Sequence, residues 1–582
     1  MVALFLFVSS LLLLALMAPE RASGQTASAD SKNTIRGVVV NRVTREPLGR
    51  ALVYSADKRL ATLTDDQGRF QFVVLPAPET LPPSVNETVS IDGATFMGAS
   101  FSSFPGSLLA RKPGFLSSER SFSPWDLVVV ETGKDIIIAL TPEARIVGRV
   151  VLPSSNAADR IIVHLYRRRV SDGRAVWEMA ADAASRSNGE FRFAGLDGGT
   201  YRLFTGELMD RDPLTFNPAG PVYGYPPSYF PDASNFQAAA DIHLAAGMTF
   251  QADLSPVRQP YYNVKLPIAN ALAGEQMLVS VAIQGRKGPG FELGYNPRDQ
   301  RVEGSLPNGT YLIEATSQGQ NGDATGSAMI TVKGAPVEGP AIAMVPNGSV
   351  SIETKLELTQ DDQKGSVAIA NPTQDPSTDV AHFALLPGGN LTLEFEPADE
   401  FLNPQSGPRS ESRKDKTITY GSVAPGRYWM KVRTQSGFAA SMRSGDVDLL
   451  RHPLTVLPGA NLRVDVELRN DGAEISGTIE GAKTQALPAS TMANLQRGFL
   501  YCVPLPDSPG QFRETQVGQD GSFQLEQLPP GSYRVLVFDR PQTDFEFRNP
   551  EAMRAFENKG QVVRLTAGQK EHLTLQLIPI NE

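Results

Sequence analysis

A short motif, Gly-x-Tyr followed by an alternating run, occurs four times along the chain. It reads GTYRLF from Gly199, GTYLIEA from Gly309, GRYWMKV from Gly426 and GSYRVLV from Gly531. The tyrosines, Tyr201, Tyr311, Tyr428 and Tyr533, stand roughly 110 residues apart. That period is too long for a solenoid repeat and suits a tandem array of small β-sandwiches. An altered fifth copy, FPGSLLARKPGF from Phe104 to Phe115, keeps Pro105-Gly106 and has Leu108 where the tyrosine would stand. At 582 residues the chain is also too long for one core, since domains average about 100–200 residues.

Two further elements recur with the tyrosine. DDQGRFQFVVLP (Asp65 to Pro76), RSNGEFRFAGL (Arg186 to Leu196) and GQDGSFQLEQLPPG (Gly518 to Gly531) each place a Gly turn before a strand. Phe70 and Phe72, Phe191 and Phe193, and Phe523 and Leu525 then stand two apart, which puts each pair on one face. Units close on strands such as IIIALTP (from Ile136), AAGMTFQADLSP (from Ala245), LPGANLRVDVEL (from Leu457) and TAGQKEHLTLQLIP (from Thr566). They open on strands with an early glycine: IRGVVV at Ile35, ARIVGRVV at Ala144 and AEISGTI at Ala473. The expected fold is all-β, a tandem array of about five small Greek-key, transthyretin-like β-sandwiches. The expected units are 30–142 with an insertion, 143–257, 258–346, 347–468 and 469–582. The third and fourth are degenerate, lacking the Asp-Gly-Phe element. One helix is predicted over Asn549 to Gly560, with Asn549 as cap and Pro550 in the first turn.

The first unit resembles the carboxypeptidase regulatory-like domain. Gly37, Pro47, Leu48, Ala51, Val53, Thr64, Asp65, Gly68, Phe70 and Phe72 match that family's pattern, as do Gly195 to Tyr201 in the second unit and Gln519 to Val537 in the last. The first unit departs after Pro76, where a polar insertion precedes Phe104. The resemblance implies a transthyretin-like sandwich, grouped by shape with carbohydrate-binding modules and common in secreted and envelope proteins of bacteria. It implies no peptidase chemistry.

LFLFVSSLLLLALM, Leu4 to Met17, followed by small and polar residues to Ala29, predicts a signal peptide over 1–29. The run is shorter than the ~20 residues that span a bilayer. It implies export through the Sec pathway to the periplasm or the exterior, with no membrane attachment after cleavage. The single cysteine, Cys502, excludes any intrachain disulfide and reads as a small buried apolar residue. The formal net charge of −9 argues against nucleic acid, which wants a basic face.

Catalytic motifs are absent from the sequence. The five histidines, His164, His243, His382, His452 and His572, are far apart, and no nucleophile elbow or phosphate loop occurs. Asp65-Asp66 and Asp361-Asp362 lack calcium-loop spacing. The expectation is therefore a non-enzyme with no catalytic, cofactor or metal residues. The densest aromatic cluster is GPVYGYPPSYFPDASNF, Gly220 to Phe236. Its Tyr223, Tyr225, Tyr229, Phe230 and Phe236 are the candidate glycan-stacking residues, with packing at a domain boundary as the alternative. The expected role is an envelope scaffold or adhesion protein, with a polysaccharide or a cell-envelope protein as partner. The alternatives are a ligand-free structural spacer and an accessory subunit of an envelope protease or transporter.

Overall fold

The computed structural model describes residues 34–73, 89–91, 94–96, 107–116, 128–129, 135–152, 160–210, 222–270, 276–318, 323–357, 384–401, 409–480 and 498–579, apart from positions 57, 286–287, 387–388, 415–416, 435–436, 519 and 543. The expected signal segment, Phe104 to Gly106, Trp125, Asp361-Asp362 and His382 lie outside the described residues.

The fold is all-β, a tandem array of five β-sandwiches. In each, the opening strand runs antiparallel to one neighbour and parallel to the closing strand. In the first, Thr34–Asn41 lies between Arg69–Val73 and Asp135–Leu140. In the second, Ala144–Arg149 lies between Glu190–Leu196 and Thr249–Gln251. In the fifth, Ala473–Ile479 lies between Ser522–Leu528 and Lys570–Leu575. The two degenerate units keep this arrangement. Gln259–Ala269 pairs with Arg301–Pro307 and, in parallel, with Val337–Glu338 and Ile342–Ala343. Gly348–Glu357 pairs with Thr417–Val423 and, in parallel, with Asn461–Arg469. Five separate cores fill these sandwiches, spanning Ile35 to Leu140, Ala144 to Leu254, Val264 to Met344, Val350 to Leu468 and Ala473 to Leu575.

The recurring residues have physical reasons. A Cβ at Gly37, Gly148 or Gly477 would collide with the carbonyl oxygen of Ile136, Ala252 or Leu573 in the closing strand. On its other side it would meet the ring of Phe70, Phe191 or Phe523, at 2.8, 2.6 and 2.7 Å. The opening glycine and the first aromatic of the pair are thus one device: the ring packs on a bare backbone where two strands approach closely. Both residues of each pair, from Phe70 with Phe72 to Phe523 with Leu525, face inward and are buried.

The Gly-x-Tyr motif is a tyrosine corner. Each hydroxyl donates to the carbonyl four residues upstream: Tyr201 to Asp197 at 2.9 Å, Tyr311 to Pro307 at 3.0 Å, Tyr428 to Ala424 at 2.8 Å and Tyr533 to Pro529 at 2.5 Å. The chain must fold back for this; the rings of Tyr201, Tyr311 and Tyr428 lie over the glycine two residues before them, and that of Tyr533 lies against Gly510. A Cβ on Gly309 would stand 2.8 Å from the Tyr311 ring. All four rings are buried, and each hydrogen bond satisfies a hydroxyl that would otherwise be costly inside a core. Leu108 takes the corner position of the first sandwich and is buried without needing a partner.

The predicted helix is shorter than expected. Asn549 caps it, its side-chain oxygen accepting from Glu551 N at 3.0 Å, but the α-helix ends at Met553 and a 3-10 turn covers Arg554–Phe556. The Phe556 ring packs on Phe538 and Phe545, both at 5.6 Å, so the chain is drawn onto the sandwich instead of continuing outward. Cys502 is buried and free, and burial pushes its thiol pKa up.

Candidate functional site

The second sandwich carries a long hairpin, Ile162–Ser171 paired with Arg174–Ala184 in one continuous ladder apart from a bulge at Leu165/Tyr166. Its two turn residues, Asp172 and Gly173, have φ values of 46° and 72°, the left-handed pair that a two-residue hairpin loop demands. The Asp-Gly dipeptide between alternating runs is the sequence signal that marks this tip.

The tip docks against the fourth and fifth sandwiches. Asp172 stands 3.0 Å from Arg174 Nη1 and 2.8 Å from Arg548 Nη2 of the fifth. Arg548 Nε also donates to the Asp172 carbonyl at 2.9 Å, and Arg548 N to the Gly173 carbonyl at 3.2 Å. A Cβ on Gly173 would stand 2.7 Å from the Phe547 ring, so the turn needs glycine for contact as well as for conformation. From the fourth sandwich, Glu396 accepts from the Ser171 hydroxyl and pairs with Lys431 at 2.8 Å. The Arg174 guanidinium lies 3.6 Å from the centroid of Trp429, a close cation–π contact.

Two contacts along the hairpin extend the docking. Arg168 is ion-paired with Glu546. Trp177 N donates to Glu400 O at 2.6 Å, and Trp177 bridges Phe401 in parallel. Burial and the facing charge of Arg548 pull the Arg174 pKa down to about 10, partly offset by Asp172. Burial raises the Glu546 carboxyl, but Arg168 and Asn549 more than offset this and hold it below its ordinary value.

The aromatic loop is packed differently from a glycan platform. Tyr225, Tyr229 and Phe236 are buried, whereas Tyr223 and Phe230 are half-buried. Tyr229 stacks on Phe204 at 5.1 Å and donates its hydroxyl to Pro289 O of the third sandwich at 2.7 Å. Phe236 meets Trp177 at 5.4 Å and Phe401 of the fourth sandwich at 5.0 Å. Tyr223 lies under the Arg258 guanidinium at 4.1 Å, and Phe230 packs on Phe250 at 5.9 Å. The Pro/Gly content does not keep this segment out of a sheet: Val222–Tyr225 pairs with Gln259–Ala269, joining the third sandwich. The five rings are therefore not presented together for stacking. Packing at a domain boundary, the alternative reading, describes Tyr225, Tyr229 and Phe236.

Other titratable groups are dispersed. His243 meets Thr200 at 3.1 Å and His572 meets Ser476 at 3.4 Å, both on exposed strand faces. Burial lowers the His164 pKa. Asp65 is a turn residue, its carboxylate accepting from Gln67 N at 2.9 Å and Arg69 N at 2.7 Å. Among the described residues no group of three or more His, Cys, Asp or Glu is placed to hold a metal ion. Between the second and third sandwiches, burial pushes the Glu207 carboxyl up to about 7; the neighbouring Tyr261 hydroxyl pulls it part of the way back and the charge of Glu292 adds to the rise.

No family model matches the chain, and no curated protein matches it. Solved structures that align with it include the TIE protein of Bacillus anthracis, at 9% identity over 72% of this chain and 68% of that one, with a TM-score of 0.14. BcpA, the major pilin subunit of Bacillus cereus, aligns at 11% identity over 56% of this chain and 99% of its own, with a TM-score of 0.14. The RrgB pilus protein of Streptococcus pneumoniae aligns at 8% identity over 76% and 99%, with a TM-score of 0.12. At TM-scores this low, these likenesses carry no argument about the present chain.

Proposed function

We propose that the chain is an exported, non-catalytic scaffold or adhesion protein of the cell envelope. On this reading it is built from carboxypeptidase regulatory-like sandwiches divided near residues 142, 257, 346 and 468. The observation that carries the scaffold reading is the docked hairpin tip. Asp172 joins the second sandwich to Arg548 of the fifth, and Arg174 stacks on Trp429 of the fourth. Sandwiches distant in sequence are thereby held as one body, which favours a scaffold over a spacer that merely sets distance. Polysaccharide contact through the aromatic loop would rest on Tyr223 and Phe230, too little for the five-ring platform. The partner favoured is a cell-envelope protein.

The test is to express the tagged full chain in a bacterial host, fractionate it, and measure retention of the purified protein on a cell-envelope preparation. Recovery outside the cytoplasm, with a new N-terminus between Gly24 and Asp30, and retention on the envelope are expected. An unprocessed chain in the cytoplasm overturns the export reading. Failure to be retained on envelope, isolated cell wall or polysaccharide overturns the adhesion reading.

A further inference from the structure

Beside the docked tip, a cleft of about 830 Å³ opens where the second, fourth and fifth sandwiches meet. Five arginines, Arg174, Arg443, Arg451, Arg534 and Arg548, line it together with His452. The acidic residues on its wall are Asp448 and Glu557, with Asp172 at its margin beside Arg174 and Arg548. This is a local excess of positive charge on a chain whose formal net charge is −9.

The arginines are incompletely neutralised. Arg174 and Arg548 share the carboxylate of Asp172. Arg534 Nη1 donates to two backbone carbonyls, Glu557 O at 2.6 Å and Lys559 O at 3.1 Å, which satisfy its hydrogen bonds without cancelling its charge. Arg451 Nε stands 3.7 Å from Asp448 Oδ2, and both side chains are well exposed. Arg443 is exposed, paired through its backbone with Asp448 and Asp465 in the flanking strands, and its side chain has no hydrogen bond or ion pair among the described residues. The remaining wall is mostly apolar, with Trp429, Pro504, Pro506, Pro509 and Met553, and is interrupted by Ser441 and Ser508.

We infer that this cleft binds a small organic ligand carrying two or more carboxylate groups. Guanidinium forks match planar carboxylates, and several around one space ask for several carboxylates. The apolar wall asks for a carbon skeleton between them. The volume lies within the ~300–1,000 Å³ of small-ligand sites. A free polycarboxylate and a short uronic-acid saccharide present the same chemistry. The inference does not depend on where in the cell the protein resides.

Isothermal titration of the full chain with citrate, trigalacturonate, maltotriose and a short oligoglutamate peptide tests it. Citrate or trigalacturonate binds, which of the two identifying the source; the neutral maltotriose does not, and affinity falls as salt rises. The double variant Arg443→Ser, Arg451→Ser, at two exposed positions, loses at least tenfold in affinity with an unchanged melting temperature. Three results would each overturn the proposal: no binding of either carboxylate probe at millimolar concentration, undiminished binding by the variant, or binding of the peptide alone.

Discussion

Tyr533 and Tyr229 are the same residue in the same state, yet different parts of the molecule hold them there. Both are fully buried, at 0% and 1% exposure, and both hydroxyls donate to a backbone carbonyl. Tyr533 finds its acceptor at Pro529, four residues away in its own turn. Tyr229 finds it at Pro289, 60 residues away in the next sandwich. The first tyrosine needs a core and a glycine. The second needs three sandwiches already folded and docked, because its neighbours Phe204 and Phe236 connect it to Trp177 and Phe401. Rings of one chemical type thus serve as internal pegs in one region and as mortar between domains in another.

The largest effect expected is at the local peg. Tyr533→Ala should cost about 3–5 kcal/mol by leaving a cavity in the fifth core. Hydrogen exchange in the full chain should rise in Gly498–Pro504 and Gly531–Phe538 and stay unchanged in the second sandwich. A rise spread evenly over all five sandwiches would break the distinction.

Next is the docked tip. Asp172→Ala leaves Arg174 and Arg548 facing each other at Trp429 without their shared carboxylate, at a cost of about 1–3 kcal/mol. Because the cost falls between sandwiches, the radius of gyration in X-ray scattering should increase while protection within each core persists. An unchanged radius would mean that the aromatic contacts alone suffice to hold the sandwiches together.

Removing only a hydroxyl gives the sharpest contrast. Tyr533→Phe and Tyr229→Phe should each cost about 1 kcal/mol, read as a lower denaturation midpoint. In the first the exchange change stays within the fifth sandwich; in the second it appears on both sides of the junction between the second and third, including the backbone near Pro289.

The last effect is a pH dependence at that junction. The Glu207 carboxyl is raised from 4.5 to about 7, so the folded state holds its proton more tightly than the unfolded chain does. Its contribution to stability is fully present below pH 4.5 and is lost as pH rises through about 7. Measured as the difference in melting temperature between the unmodified chain and Glu207→Gln, that slope should disappear in the variant. Parallel curves would show that Glu207 titrates normally.

Three sandwiches were legible because their signals are local. Gly37, Gly148 and Gly477 each sit under an aromatic whose position two residues from its partner is visible in the sequence. The degenerate units keep the same strand pairing on weaker signals. Val302 and Leu306 in the third, and Ile418 and Val423 in the fourth, fill the face that the aromatic pairs fill elsewhere. Aliphatic side chains suffice once both sheets are present, but they carry no distinctive pattern. The aromatic loop was less legible for the opposite reason. Its sequence allows both stacking on a glycan and packing at a boundary, and only the fold shows that Val222–Tyr225 is a strand between Leu208–Met209 and Gln259–Ala269.

By itself, the sequence determined the elements that depend on neighbours a few residues away: the tyrosine corners, the Gly turns at Gly68, Gly189 and Gly521 and the inward-facing strand pairs; its single cysteine also excluded any intrachain disulfide. Steric limits on φ and the two-residue period of a strand act at short range, so they leave a readable pattern. Only the tertiary structure decided that Asp172 meets Arg548, that Arg174 lies on Trp429 and that the arginines converge on one cleft. Those contacts join residues hundreds of positions apart. A surface arginine and a docking arginine have the same local sequence requirements, and what separates them is the position of another domain.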